Sequence, residues 1–366
     1  MGLNIGITGL PNVGKTTLFN ALTRTRNAQA ANYAFSTVEP NFASVPVPDA
    51  RLAPLAKIEN SKKTIHATVE FTDLAGLVRG ASKGEGLGNK FLASIRESDA
   101  ILHVVRCFED ENIAHAENGI NPVRDAGIIN DELLLADMEA VEAKIGRLEK
   151  NARTDKDARK ELEAAQTILK HLENGAPAHT FADREDPETR NLLRDMRLLT
   201  DKKTIYVANA GEDALVGENP KVAELQLFAA NKGAPCVVIC AKIEEDMAGI
   251  SDAERAEFLA EYGIAESGLD LVVKTGYATL GLQSFLTAGP KETRAWTIRQ
   301  GSTAPKAAGV IHSDFERGFI RAQVISFGDF VKHGGEKKCK ELGLARLEGR
   351  EYIMRDGDVV EFLFNV

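Results

Sequence analysis

The residues in this sequence best suited to chemistry are those that could hold and cleave a chain of phosphates. Gly9-Leu10-Pro11-Asn12-Val13-Gly14-Lys15-Thr16 has the spacing Gly-x4-Gly-Lys-Thr, between an apolar run and the helical pattern Thr17 to Leu22. In that strand-to-helix setting the glycines let backbone N–H groups turn toward phosphates, and the helix start adds its positive end. Lys15 would bridge the β and γ oxygens and Thr16 would offer its hydroxyl to Mg²⁺, with Asn12, Val13, Gly14 and Thr17 completing the run. Asp73-Leu74-Ala75-Gly76 follows the strand-like Val69-Glu70-Phe71-Thr72. Alone this spacing is usually a turn. At this distance from a P-loop, Asp73 would hold the metal shell and the Gly76 N–H would meet the γ-phosphate. The hydroxyl of Thr37, in the polar loop between, would complete the Mg²⁺ shell when the γ-phosphate is present.

A site that reads guanine carries Asn-Lys-x-Asp after a late strand, and this chain has none. Asn89-Lys90 and Asn231-Lys232 lack the carboxylate, and the expected strand is followed instead by Asn209-Ala210-Gly211-Glu212. Without the bidentate Asp–guanine pair, the usual reason for preferring GTP is gone. Leu77 stands where many GTPases place a water-orienting Gln, so hydrolysis is slow or another group orients the water.

These residues need a scaffold. Leu3 to Thr8, Thr68 to Thr72, Ile101 to Arg106, Ile205 to Asn209 and Cys236 to Ala241 read as strands, apolar enough for a parallel sheet covered on both faces. That predicts a doubly wound α/β P-loop domain over 1–128 and 201–280, with its ligands at the carboxyl ends of the strands. Between its halves, Leu134, Met138, Val141, Ile145 and Leu148, then Leu162, Ala165, Leu169 and Leu172, predict an inserted antiparallel coiled-coil hairpin over 129–200. Asp186-Pro187-Glu188 reads as the cap and first turn of a further helix. From Gly281 onward, short strands at Glu292 to Gln300, Phe319 to Ser326 and Val359 to Phe364 predict a small, mostly β unit over 281–366. It holds 13 Lys and Arg against 11 Asp and Glu, too mild a bias to establish an RNA-binding face.

The 366 residues carry a formal charge of −9, which argues against a protein that coats nucleic acid by bulk electrostatics. Cys107, Cys236, Cys240 and Cys339 are too scattered for a disulfide framework or a zinc site and suit a reducing compartment. No apolar run approaches a membrane span, and no signal peptide is apparent, so the expected location is the cytoplasm.

Taken together, the P-loop, Tyr33-Ala34-Phe35-Ser36-Thr37-Val38-Glu39-Pro40-Asn41, Asp73-Leu74-Ala75-Gly76-Leu77-Val78, Gly84-Glu85-Gly86-Leu87-Gly88-Asn89-Lys90-Phe91-Leu92 and Asn209-x-x-Glu212 resemble the YchF subfamily of Obg-like ATPases across the whole chain. The resemblance implies a C-terminal TGS domain of ubiquitin-like β-grasp fold. It also implies ATP preferred over GTP, Mg²⁺ and K⁺ as cofactors with Asn12 as a potassium ligand, and a role around translation through the 70S ribosome and its large subunit, including ribosomal RNA. No membrane and no DNA sequence specificity are expected, and no oligomer is required. It assigns Asn209, Glu212 and Ala241, within Cys240-Ala241-Lys242, to the base, and Thr37 to the switch. It also points to His115, in a mobile loop, as the group that positions water; a solvated loop histidine is the competing reading of that residue. Two other readings of the chain stay open: a GTPase of the same fold, and a nucleotide-gated ribosome- or RNA-binding module with incidental turnover.

Overall fold

A computed structural model of the protein describes residues 3–30, 42–74, 87–117, 119–247 and 249–365. Two compact units emerge, one made chiefly of 3–43 and 70–272, the other of 44–69 and 273–366.

The first unit is built on a sheet with strand order Phe42–Pro46, Thr68–Asp73, Asn4–Thr8, Ala100–Arg106, Lys203–Asn209, Cys236–Ile239. From Thr68–Asp73 through Cys236–Ile239 the neighbours pair in parallel. Every residue of the central strand Ala100–Arg106 is buried, as continuous apolar runs in a doubly covered sheet require. The expected strands therefore form, except that the last ends at Ile239 because Cys240 caps the helix Ala241–Asp246. His103, inside the central strand, is 1% exposed, and burial pushes its pKa down to about 3, so it is a neutral core residue. Cys107 and Cys236 have thiols pushed up by burial to about 12 and about 11, as inert hydrophobes do.

The hairpin consists of helices Pro122–Asn151 and Lys156–Glu173. All nine predicted seam residues lie in or against one core cluster, centred on Val141, Leu148, Ala165, Ile168 and Leu172. Asp186 caps the helix Pro187–Met196 by accepting from Thr189 N–H. The structure departs from the sequence reading at residue 129, which is no boundary. The first helix starts at Pro122, capped by Asn121, and its opening turns belong to the nucleotide-domain core, where Ala126 packs with Val105 and Tyr206. The Asn-Pro pair is a legible start signal that the heptad rhythm obscured.

The second unit has a mixed sheet ordered Arg346–Glu348, Phe319–Ser326, Asp358–Phe364, Leu282–Ala288, Thr293–Arg299, Thr64–Ile65. The helix Ala304–Ile311 packs Ala304, Ala307 and Ala308 against Phe285, Phe319 and Phe362. The stretch between the strands Phe42–Pro46 and Thr68–Asp73 of the first sheet, assigned from sequence to the nucleotide domain, clusters with this unit instead. Thr64–Ile65 pairs in parallel with Thr293–Arg299, and Arg51 forms an ion pair with Asp356 at 2.8 Å. A two-residue strand carries no period, which is why the sequence did not reveal it.

Ile168 is fully buried in the hairpin seam. Ile168→Ala is expected to destabilise the protein by about 2–5 kcal/mol, seen as a lowered thermal midpoint by circular dichroism; an unchanged midpoint would show that the seam contributes little.

Candidate functional site

The P-loop leaves the strand Asn4–Thr8 and enters the helix Lys15–Ala30. Two backbone features shape it. Asn12 is in the left-handed region at φ 62°, and Gly14 has φ 96° with no room for a side chain, since a Cβ there would meet Asn209 Nδ2 at 2.2 Å. Lys15 is 8% exposed and its Nζ donates to Leu10 O at 2.7 Å. Burial pulls the Lys15 pKa from 10.5 down to about 8, with the Asp73 carboxylate opposing.

A cleft of about 880 Å³ gathers Asn12, Gly14, Lys15, Thr16 and Thr17 from the P-loop with Asn209, Glu212 and Ala241 from the loops after the next strands. This volume suits a nucleotide-sized ligand. Its wall adds Phe108, Asp110 and Ile113, and its far side Cys240 and Lys242. The Val13 side chain is buried, and its carbonyl accepts from Asn209 Nδ2 at 2.9 Å. Asn209 Oδ1 in turn accepts from Ala241 N–H at 3.0 Å. Asn209, expected to touch the ligand, lines the cleft and is also a buried brace that ties the P-loop to the start of the helix Ala241–Asp246. The Glu212 side chain is half exposed and stands 3.8 Å from Lys242 Nζ.

Asp73 ends the strand Thr68–Asp73 opposite Ile7. Burial raises its pKa, Lys15 opposes this, and its Oδ1 is buried with no hydrogen-bond partner among the described residues. An orphaned carboxylate oxygen beside a P-loop, with the exposed Thr16 hydroxyl at the helix start, is a donor set that suits a hard divalent cation. Thr37 and Gly76 lie outside the described residues.

His115 is placed differently from the expectation. It does not line the cleft. Its Nε2 pairs with Asp125 Oδ2 at 2.9 Å, and its Nδ1 accepts from Glu117 N–H at 3.0 Å. Asp125 is 2% exposed and its other oxygen accepts from Arg124. Both ring nitrogens are thus engaged, and the ring is held by the start of the long helix. The preceding residue does touch the P-loop, because Asn12 Nδ2 donates to Ala114 O at 3.2 Å. That bond uses the Asn12 amide nitrogen, whereas the implied potassium ligand would be its Oδ1. Sequence reasoning missed Phe108, Ile113, Asp125 and Arg106. The one available signal was a charged residue ending an otherwise apolar strand, Ala100-Ile101-Leu102-His103-Val104-Val105-Arg106.

Two family models match the chain: one described as a 50S ribosome-binding GTPase over residues 4–136, the other YchF-GTPase_C, described as a protein of unknown function, over 282–365. The ribosome-binding ATPase YchF of Escherichia coli O157:H7 is 51% identical over 367 residues, and that of Bacillus subtilis strain 168 is 50% identical over 369, each covering 100% of both chains. The structure of the Schizosaccharomyces pombe YchF GTPase superposes with a TM-score of 0.87 at 35% identity, covering 99% of this chain and 98% of that one.

Phosphates favour a charged Lys15, so ligand binding should restore its proton. At pH 8, calorimetric titration with ATP in buffers of different ionisation enthalpy should show uptake of about half a proton, and at pH 7 nearly none. Equal uptake at both values would contradict the depressed Lys15.

Proposed function

The chain belongs to the YchF family, and on that premise we propose that it hydrolyses ATP to ADP and phosphate in the cytoplasm and binds the ribosome. The observation that carries the reading is the cleft, where a P-loop lysine, a helix N-terminus and the base-side loops after Asn209 and Cys240 converge. Relatives named ribosome-binding ATPases and matched end to end support the substrate and the partner. In this reading the P-loop N–H groups and Lys15 hold the phosphate chain. Thr16, Thr37 and Asp73 hold Mg²⁺, which when bound offsets charge on the transferring phosphoryl group. Gly76 N–H meets the γ-phosphate, and K⁺ joins beside Asn12. The base rests between the Phe108 and Ile113 wall and the Gly211–Glu212 and Ala241–Lys242 loops. The working division is a nucleotide domain, a helical hairpin and a TGS-like module.

ATP rather than GTP is read from the base end, where Glu212 takes the place of the guanine-reading Asp of an Asn-Lys-x-Asp motif and faces Lys242. One observation favours the GTPase alternative: Glu212 still lines the cleft with a half-exposed carboxylate. Calorimetric titration with Mg-ATP and Mg-GTP decides between them. ATP is expected to bind about tenfold tighter, or ~1.4 kcal/mol; equal or tighter GTP binding would move the protein to the GTPases.

His115 reaches a water beside the γ-phosphate only after its ring turns away from Asp125. If it does so during turnover, His115→Ala should lower kcat by about a hundredfold or more while KM for ATP changes little. An unchanged kcat would leave His115 a structural residue and favour a binding module with incidental turnover.

A further inference from the structure

Arg106 closes the central strand and is 2% exposed, among the largest fully buried side chains described. Its Nε donates to Phe108 O at 3.1 Å, Nη1 to Ile113 O at 3.0 Å and Nη2 to Asp110 O at 3.1 Å. Its guanidinium carbon lies 4.5 Å from the centre of the Phe108 ring. Among the described residues no carboxylate forms an ion pair with it. A charge this deeply desolvated is costly unless it is hydrogen-bonded, and here each of its three nitrogens donates to a backbone carbonyl of one short segment. Phe108, Asp110 and Ile113, whose carbonyls are gripped, are also residues that face the cleft. The fork underneath therefore dictates how the wall above is presented. The segment's next residue, Ala114, is tied to the P-loop through Asn12.

We propose that Arg106 is a positioning residue for the nucleotide reaction: its planar fork holds 107–114 as a preformed wall of the cleft. The inference rests on the cleft being the nucleotide site. A preformed wall removes the cost of ordering the segment on each binding event. Lysine keeps the charge but cannot reproduce three donors in one plane, so two carbonyls would turn to water and carry the wall with them.

The test is Arg106→Lys in the full-length protein, read by steady-state ATPase kinetics, thermal melting and amide hydrogen exchange. KM for ATP should rise by about tenfold or more with the melting midpoint shifted by only a few degrees, and the Asn112, Ile113 and Glu117 amides should lose protection. KM and kcat both within twofold of the parent, in a folded variant, would overturn the proposal. Should the variant not fold, exchange in the unaltered, nucleotide-free protein decides: those three amides are expected to be protected, and exchange at open-chain rates would overturn the preformed wall. Lys15→Ala runs in parallel. If it leaves ATP binding intact, the nucleotide reading of the cleft has failed; if it abolishes binding while Arg106→Lys changes nothing, only the role of Arg106 has.

Discussion

The side-chain amide of Asn209 is bonded at both ends, to Val13 O in the P-loop and to Ala241 N–H across the cleft. The arrangement of the site depends on this one group. Parallel strands deliver their loops to the same edge of the sheet, but nothing in a sheet fixes the distance between loops that leave separate strands. A buried amide with one donor and one acceptor committed does fix it, because breaking either bond leaves a polar group unsatisfied inside the protein, at a cost of about 1–3 kcal/mol. The lack of space at Gly14 is the complement of the same contact: a side chain at that position would occupy the place of the Asn209 amide.

On the opposite wall the principle repeats with a charged group. Arg106 gathers the carbonyls of 108, 110 and 113, and the P-loop reaches the same segment through Asn12. Farther along, His115 is pinned by Asp125, itself gripped by Arg124. The loop expected from the family resemblance to be mobile is thus held at successive points in the geometry seen here. Lys15 and Asp73 are the counterexample. Both are left partly uncompensated, one with a depressed pKa and the other with a bare oxygen, as suits groups that meet a ligand rather than the protein.

What could be read from sequence follows from what leaves a local trace. The P-loop and Asp73 announce themselves because phosphate and metal binding demand particular residues at particular spacings, and the seam from Leu134 to Leu172 because helix packing has a period. The roles of Asn209 and Arg106 leave no such trace: one ties residues remote in the chain, and the other grips backbone carbonyls, which have no sequence. Asn209 was read as a base-side residue, and its second role as a brace between Val13 and Ala241 had no signal in the sequence. The strand Thr64–Ile65 and the helix start at Pro122 were missed because one is too short to show alternation and the other runs through a supposed boundary.

That helix has a mechanical consequence. Pro122–Asn151 is continuous for 30 residues, about 45 Å of rise. Its first turn carries Asp125, which grips the loop beside the cleft, and its last turns carry Leu148 in the hairpin core. No hinge interrupts it, so it behaves as a lever arm whose short end is at the site. With Asp125 as the pivot, about 39 Å of helix lies beyond it, so a tilt of about 5° there would sweep the far end by about 3 Å.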